Sequence, residues 1–208
     1  MVTPFDVMNA VGLVAFATVG SLKAVDAEFD VLGVAVLGVL TALGGGATRD
    51  VLVGRMPAML QSTTDVGFAL GGVLLAVVLA RRLGTGLLDH PAVVVPDAVG
   101  LAAFAATGAL VGVEAGASPF GVVVLGTITG VGGGLVSDVL LQRVPFVLAE
   151  DFYATCAVTG SAALWAVTAA GGSPTAGTAA CAGLTFALRL LAIRFDWRLP
   201  TVRLSAAT

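Results

Sequence analysis

The chain has 208 residues, 58% hydrophobic and only 11% charged, with a formal net charge of −3 and a mean hydropathy of +1.04. That balance leaves too little polar surface for a soluble domain of this length, and no basic patch is present to bind nucleic acid. One histidine, two cysteines and no CxxC or histidine cluster predict neither a metal site nor a cofactor, and give an enzyme no catalytic residues.

Apolar runs near the roughly 20 residues a bilayer-crossing helix needs occupy 5–23, 31–56, 66–80, 96–113, 119–142, 152–170 and 174–193. Unbroken runs predict helices, because barrel strands would alternate polar and apolar residues. The expected fold class is therefore an all-α membrane protein with seven spans. Residues 1–9 hold no Lys or Arg and place Asp6 where a cleaved signal would be positive, so the first span is expected to stay. A polar linker at 81–95 contains Arg81, Arg82, Gly84, Gly86, Asp89, His90 and Pro91. It separates a first unit at 5–83 from a second at 96–172; a seventh helix at 174–195 and a basic tail at 196–208 follow. Within them, Cys156 and Cys181 are expected as packing thiols, a disulfide staying open, and Glu114, Glu150 and Asp151 as solvated or capping residues. Loops on the amino-terminal side carry only Arg49 and Arg55, against Lys23, Arg81, Arg82, Arg143, Arg189, Arg194, Arg198 and Arg203 on the other. The positive-inside rule then predicts an external amino terminus and a cytoplasmic carboxyl terminus in the cell membrane.

Residues 11–57 recur at 99–145 without a gap, and about half of the paired positions are identical. Gly44, Gly45, Gly46 and Asp50 fall on Gly132, Gly133, Gly134 and Asp138, and Phe16, Thr41, Arg55 and Pro57 on Phe104, Thr129, Arg143 and Pro145. The third spans match weakly, at Ala69 with Ala157 and Gly72 with Gly160. Each copy holds an odd number of spans, so the second must be inverted relative to the first, as in many transport proteins.

A single glycine triplet in a membrane helix would signify close packing. Two at equivalent places, each followed by an acid, predict interrupted helices crossing near the middle of the membrane. Asp50 and Asp138 are followed by apolar residues, and a charge inside a span costs at least about 2.5 kcal/mol. Arg49 adjoins Asp50, but neighbours in sequence do not face one another on a helix, so pairing across helices is expected, with Arg55 and Arg143 as further candidates. Asp138 has Ser137 in the place of Arg49 and is expected to be the less compensated acid. Thr18, Ser21, Thr48, Thr107 and Thr127 are expected to bond their own backbone; Thr41 and Thr129 gain weight from the repeat. Phe16 and Phe104 are core rings or a hydrophobic constriction, the core reading being favoured for either ring singly. Gly67, Gly71 and Gly72 serve either subunit association or internal packing.

With its duplicated three-helix unit, GGG-x-x-R-D motif and seventh helix, the chain resembles the prokaryotic trimeric intracellular cation channels, also known by a glycine-transporter domain name. The resemblance implies a homotrimer in the membrane lipid whose subunits each hold a pore, formed by kinked second and fifth helices with the first and fourth. It implies permeation by K+ and other monovalent cations. Carried over, the pore residues are Gly44, Gly45, Gly46, Arg49 and Asp50 from one copy and Gly132, Gly133, Gly134, Ser137 and Asp138 from the other. Ser137 departs from the arginine that many relatives repeat. The expected function is a potassium-permeable channel with loose selectivity, since no TVGYG-like filter is present, and with Arg49 as a gating charge. The alternative is a carrier of glycine or a similar small zwitterion, its carboxylate near Arg49 and its amine near Asp138. A membrane scaffold without transport fits the composition but leaves the paired acids without a role.

Overall fold

The computed structural model describes residues 3–84, 90–149 and 152–199. Gly86, Asp89, Glu150, Asp151, Arg203 and the rest of the tail from residue 200 lie outside the described residues. Nine helices are described: α1 (Pro4–Asp26), α2 (Val31–Leu52), α3 (Ala58–Gln61), α4 (Thr63–Leu83), α5 (Pro91–Glu114), α6 (Pro119–Leu140), α7 (Phe146–Ala149), α8 (Ala154–Ala169) and α9 (Pro174–Phe195). Six of them, α1, α2, α4, α5, α6 and α9, are long and apolar enough to cross a membrane. The chain is an all-helical, multi-pass membrane protein. The run read as a span at 152–170 forms the 16-residue α8, shorter than the other six.

Helix boundaries follow local chemistry. Thr3 caps α1 in a reciprocal box with Asp6, and Asp30, Ser118 and Ser173 each accept an amide proton at the starts of α2, α6 and α9. The linker is shorter than 81–95: Arg81 and Arg82 complete the last turn of α4, and α5 begins at Pro91, not 96. His90 is exposed and caps α5 through Nδ1, which accepts from the Ala92 amide at 3.1 Å. Pro91 at the first position suits a helix start, and Pro96 removes only one bond near that end. At the other end of each copy's second long helix, α2 stops at Leu52 and not 56, and α6 at Leu140 and not 142. Gly54 (φ 70°) and its repeat equivalent Gln142 (φ 56°) turn the chain left-handed there. A like pair, Glu28 (φ 59°) and Gly116 (φ 69°), closes α1 and α5.

The two copies meet at α1 and α5, where Phe16 and Phe104 stack edge to face with centroids 5.3 Å apart. Each ring lies where a side chain would project from the other copy's glycine, Phe16 against Gly100 and Phe104 against Gly12. That reciprocity is the mark of a two-fold relation. Phe5, near the start of α1, lies beside Arg49 at the end of α2, whereas Lys23, near the end of α1, lies beside Asp138 at the end of α6. Thus α2 runs against α1 and α6 runs with it, so the copies are inverted. α9 breaks the symmetry. Gly72 of α4 packs on the Val14 carbonyl of α1, which assigns it to internal packing, whereas its equivalent Gly160 of α8 packs on Cys181 and Thr185 of α9. Among the described residues nothing lies within 4 Å of where a Cβ on Gly67 or Gly71 would stand, and Leu70, Leu74, Leu75 and Val78 on α4 are exposed. An apolar outer face of this kind suits lipid. Cys156 and Cys181 are buried and free, with no disulfide between them.

Candidate functional site

The glycine triplets do not interrupt their helices. Both α2 and α6 keep α-helical hydrogen bonding through Gly44–Gly46 and Gly132–Gly134, which corrects the expectation of broken helices. Their middle glycines serve close packing. A Cβ on Gly45 would overlap the Thr129 carbonyl, one on Gly133 would overlap the Thr41 carbonyl, and one on Gly132 would meet the Gly45 Cα at 2.9 Å. Losing these side chains lets α2 and α6 cross backbone to backbone. Gly46 and Gly134 face polar groups instead, the Arg49 Nη2 at 3.8 Å and the Tyr153 hydroxyl at 4.0 Å. Gly44 faces Val136 at 3.2 Å.

Thr41 and Thr129 are fully buried, and each donates its hydroxyl at 2.6 Å to its own helix, to the Leu37 and Leu125 carbonyls. Thr18, Thr48, Thr107 and Thr127 likewise bond within their helices, while Ser21 reaches the Val34 carbonyl of α2 at 3.1 Å. Beside the crossing, the Phe16 and Phe104 rings are buried, 0% and 2% exposed.

Polar clusters flank this pair of rings. At the first, Asp50 is buried and its Oδ1 accepts from Arg49 Nε and Nη2, both at 2.8 Å. The pair therefore forms between neighbours within α2 and not across helices as expected, because the long arginine side chain reaches the adjacent carboxylate. Asp50 Oδ2 also accepts from the Ala58 amide at 3.0 Å, which ties down α3. Asn9 Nδ2 donates to Asp65 at 3.1 Å, and the Arg49 guanidinium lies 5.6 Å from the Phe5 ring centre. Among the described residues, Arg49 Nη1 is buried without a hydrogen-bond partner. Asn9, Asp50, Asp65, Gly46 and Phe104 line a cavity of about 20 Å³, room for about one water molecule.

At the second cluster Asp138 has a cation of its own, from another helix: Lys23 donates to its Oδ1 at 2.7 Å and to the Ser137 Oγ at 3.5 Å. Ser137 turns its hydroxyl back to the Gly134 carbonyl at 2.8 Å. The Tyr153 hydroxyl donates to Asp97 at 3.1 Å, and the Arg189 guanidinium of α9 lies 4.7 Å above the Tyr153 ring. Arg143 pairs with Asp26 at 3.7 Å, and Arg55 is exposed, so neither partners the two acids as proposed from sequence. Asn9 and Asp65 stand at the repeat equivalents of Asp97 and Tyr153. Sequence reasoning missed all four, together with Lys23 and Arg189. Extending the repeat offset past 11 and 57 would have found the four; nothing local points to Lys23 or Arg189.

The family described as Glycine transporter matches residues 6–81 and again 94–169. The UPF0126 membrane protein of Deinococcus radiodurans is 40% identical over 200 residues, spanning 95% of this chain and 91% of that protein. The inner membrane protein YadS of Escherichia coli K12 is 38% identical over 203 residues, 95% of each chain. A solved TRIC cation channel, studied for the structural basis of its conductance, superposes with a TM-score of 0.88 at 37% identity, over 98% of this chain and 99% of that one. The TRIC trimeric intracellular cation channel orthologue from Rhodobacter sphaeroides superposes with a TM-score of 0.86 at 29% identity, over 93% and 98%. Shared sequence along nearly the whole length and a shared fold place this chain in the prokaryotic trimeric intracellular cation channel family.

Proposed function

We propose that the chain is one subunit of a homotrimeric, potassium-permeable cation channel, with a conduction path in each subunit along the α2/α6 crossing. Its pathway residues are Gly44, Gly45, Gly46, Arg49, Asp50, Gly132, Gly133, Gly134, Ser137 and Asp138, with Thr41, Thr129, Phe16 and Phe104 around the crossing. We place the amino terminus outside, the carboxyl terminus in the cytoplasm, and α8 as the seventh span. The observation that carries this reading is the pair of buried, ion-paired carboxylates at opposite ends of the crossing. Asn9 and Lys23, one in each cluster, are about 21 Å apart along α1 at 1.5 Å per residue. A charge that costs several kcal/mol to bury alone is held at each end of the crossing.

We read the described conformation as a closed one. A cavity that holds one water cannot pass a hydrated K+, so conduction requires α2 and α6 to part at Gly45 and Gly133. Arg49 occupies in the closed state the place beside Asp50 that a permeating cation takes in the open one. Selection among monovalent cations is loose, because the chain carries no TVGYG-like filter sequence.

The carrier reading loses support on distance. Arg49 and Asp138, the two groups assigned to a glycine zwitterion, sit in opposite clusters, far beyond the reach of a two-carbon ligand. Planar-bilayer recording of purified protein tests the choice. Unitary current steps reversing near the potassium equilibrium potential are expected, with Arg49→Ala raising open probability. Saturable uptake of labelled glycine without current steps would refute the channel, and an Arg49→Ala variant with unchanged open probability and conductance would remove Arg49 from gating.

A further inference from the structure

We propose that α3 is an autoinhibitory cap on the first end of the pathway, latched to Asp50 through the Ala58 amide and released when a permeating cation takes that carboxylate oxygen. This rests on the channel reading above. In the described conformation both oxygens of Asp50 are engaged. Oδ1 accepts from Arg49 Nε and Nη2, and Oδ2 accepts from the Ala58 amide at 3.0 Å. Asp50 therefore holds Arg49 with one oxygen and α3 with the other. A cation that binds the carboxylate competes with both.

The cap sits against pathway residues. Ala58 and Met59 line the same small cavity as Gly46, Arg49, Asp50 and Phe104, and Met59 packs against the buried core. Its attachment is slight: α3 has four residues, none of them fully buried, and no side-chain cap of its own. Just before it, the Arg55 amide donates to the Asp50 carbonyl at 2.8 Å, which fixes the chain to the end of α2 and leaves 56–61 as the part that can lift. Gln61 Nε2 donates to the Met56 carbonyl at 2.8 Å, so that part holds together as one unit. A short segment with few buried contacts opens at low cost. The second copy repeats the element. α7 occupies the repeat equivalent of α3 residue for residue, and Val147, in the place of Met59, also packs on the core.

The latch couples opening to the permeating ion, and one substitution removes it alone. Proline at position 58 deletes the amide donor and leaves Arg49, Asp50 and the α2/α6 crossing unchanged. The backbone already suits it. Position 58 is the first of α3, where proline is favoured, and Pro57, at φ −53° and ψ 130°, has the polyproline-like conformation that a residue before proline prefers. Hydrogen bonds to a carboxylate are the stronger kind, so losing this one should raise the open-to-closed ratio on the order of ten-fold. Ala58→Ser retains the amide and shows what a side-chain change at the same position does by itself.

Planar-bilayer recording of the purified protein in symmetric KCl tests this, with gel filtration and thermal melting to show that each variant is folded and assembled. The expected result is an open-to-closed ratio about ten-fold higher in A58P than in A58S, at the same unitary conductance. A folded A58P that gates like A58S overturns the inference. A second measurement follows the cap itself: M59C in lipid nanodiscs is labelled with a membrane-impermeant thiol reagent, the native Cys156 and Cys181 being buried. Labelling is expected to quicken when KCl replaces N-methylglucamine chloride at constant ionic strength, because only the small cation reaches Asp50. A rate indifferent to that exchange overturns the inference, and if A58P fails to fold this labelling decides alone. A wild-type protein that passes no current refutes the channel reading and this inference with it, whereas a conducting wild type whose gating ignores the Ala58 amide refutes this inference only.

Discussion

Glycines within one triplet should differ sharply in what they tolerate. At Gly45 an added methyl overlaps the Thr129 carbonyl, and at Gly133 the Thr41 carbonyl; both are backbone atoms that cannot rotate away. α2 and α6 would have to separate by roughly 1 Å, a gap that forfeits about a quarter to a half of the dispersion well for each atom pair across the crossing. Overpacking of this kind costs about 1–3 kcal/mol, and a backbone obstacle places it near the top of that range. Alanine returns about 1 kcal/mol of helix propensity, leaving a net loss of about 2 kcal/mol for Gly45→Ala or Gly133→Ala. At Gly46 the nearest atom is Arg49 Nη2 at 3.8 Å and at Gly134 the Tyr153 hydroxyl at 4.0 Å, so alanine there meets no obstacle and should stabilise by about 1 kcal/mol. Melting of the detergent-solubilised protein, followed by the fluorescence of Trp165 and Trp197, reads this out at about 2–4 °C per kcal/mol. Equal melting temperatures for Gly45→Ala and Gly46→Ala would refute the assignment of the middle glycines to packing and return the triplets to the role of hinges.

Asp50→Asn should destabilise by about 3–5 kcal/mol, since it leaves a buried guanidinium without its carboxylate; the double variant with Arg49→Gln should recover part of that loss in the same melting assay, and no recovery would show that the pair is not the source. Glu28→Gly and Gln142→Gly should each stabilise by about 1 kcal/mol, because both residues hold a left-handed φ that their repeat equivalents, Gly116 and Gly54, adopt without a Cβ. Gly54→Ala should cost a similar amount, and unfolding midpoints that fail to separate these exchanges would remove the strain argument.

Membrane character, helical class and duplication were legible because each rests on many residues at once: a bilayer admits only long apolar runs, and twenty or so identities at one offset leave no other origin. The candidate residues come together in space: Asp50, Asp138, Arg49 and both triplets lie along the α2/α6 crossing or at its ends, with Phe16 and Phe104 beside it. What a linear reading got wrong was who partners whom. Arg49 and Asp50 were expected to find partners across helices, yet a long side chain at a helix end escapes the angular rule that governs mid-helix neighbours. Asp138 looked exposed to imbalance, yet Lys23, 115 positions earlier, closes on it.

Glycine carries the same lesson. Its lack of a side chain permits either a bend or a close approach, and only the position of the facing backbone chooses between them. Residue type, run length and repeat offset are properties of the chain and can be read along it. Charge compensation and helix contact depend on distances of a few ångströms between segments far apart in sequence, so α1 closing on α6, and α9 lying over Tyr153, were settled by tertiary packing alone.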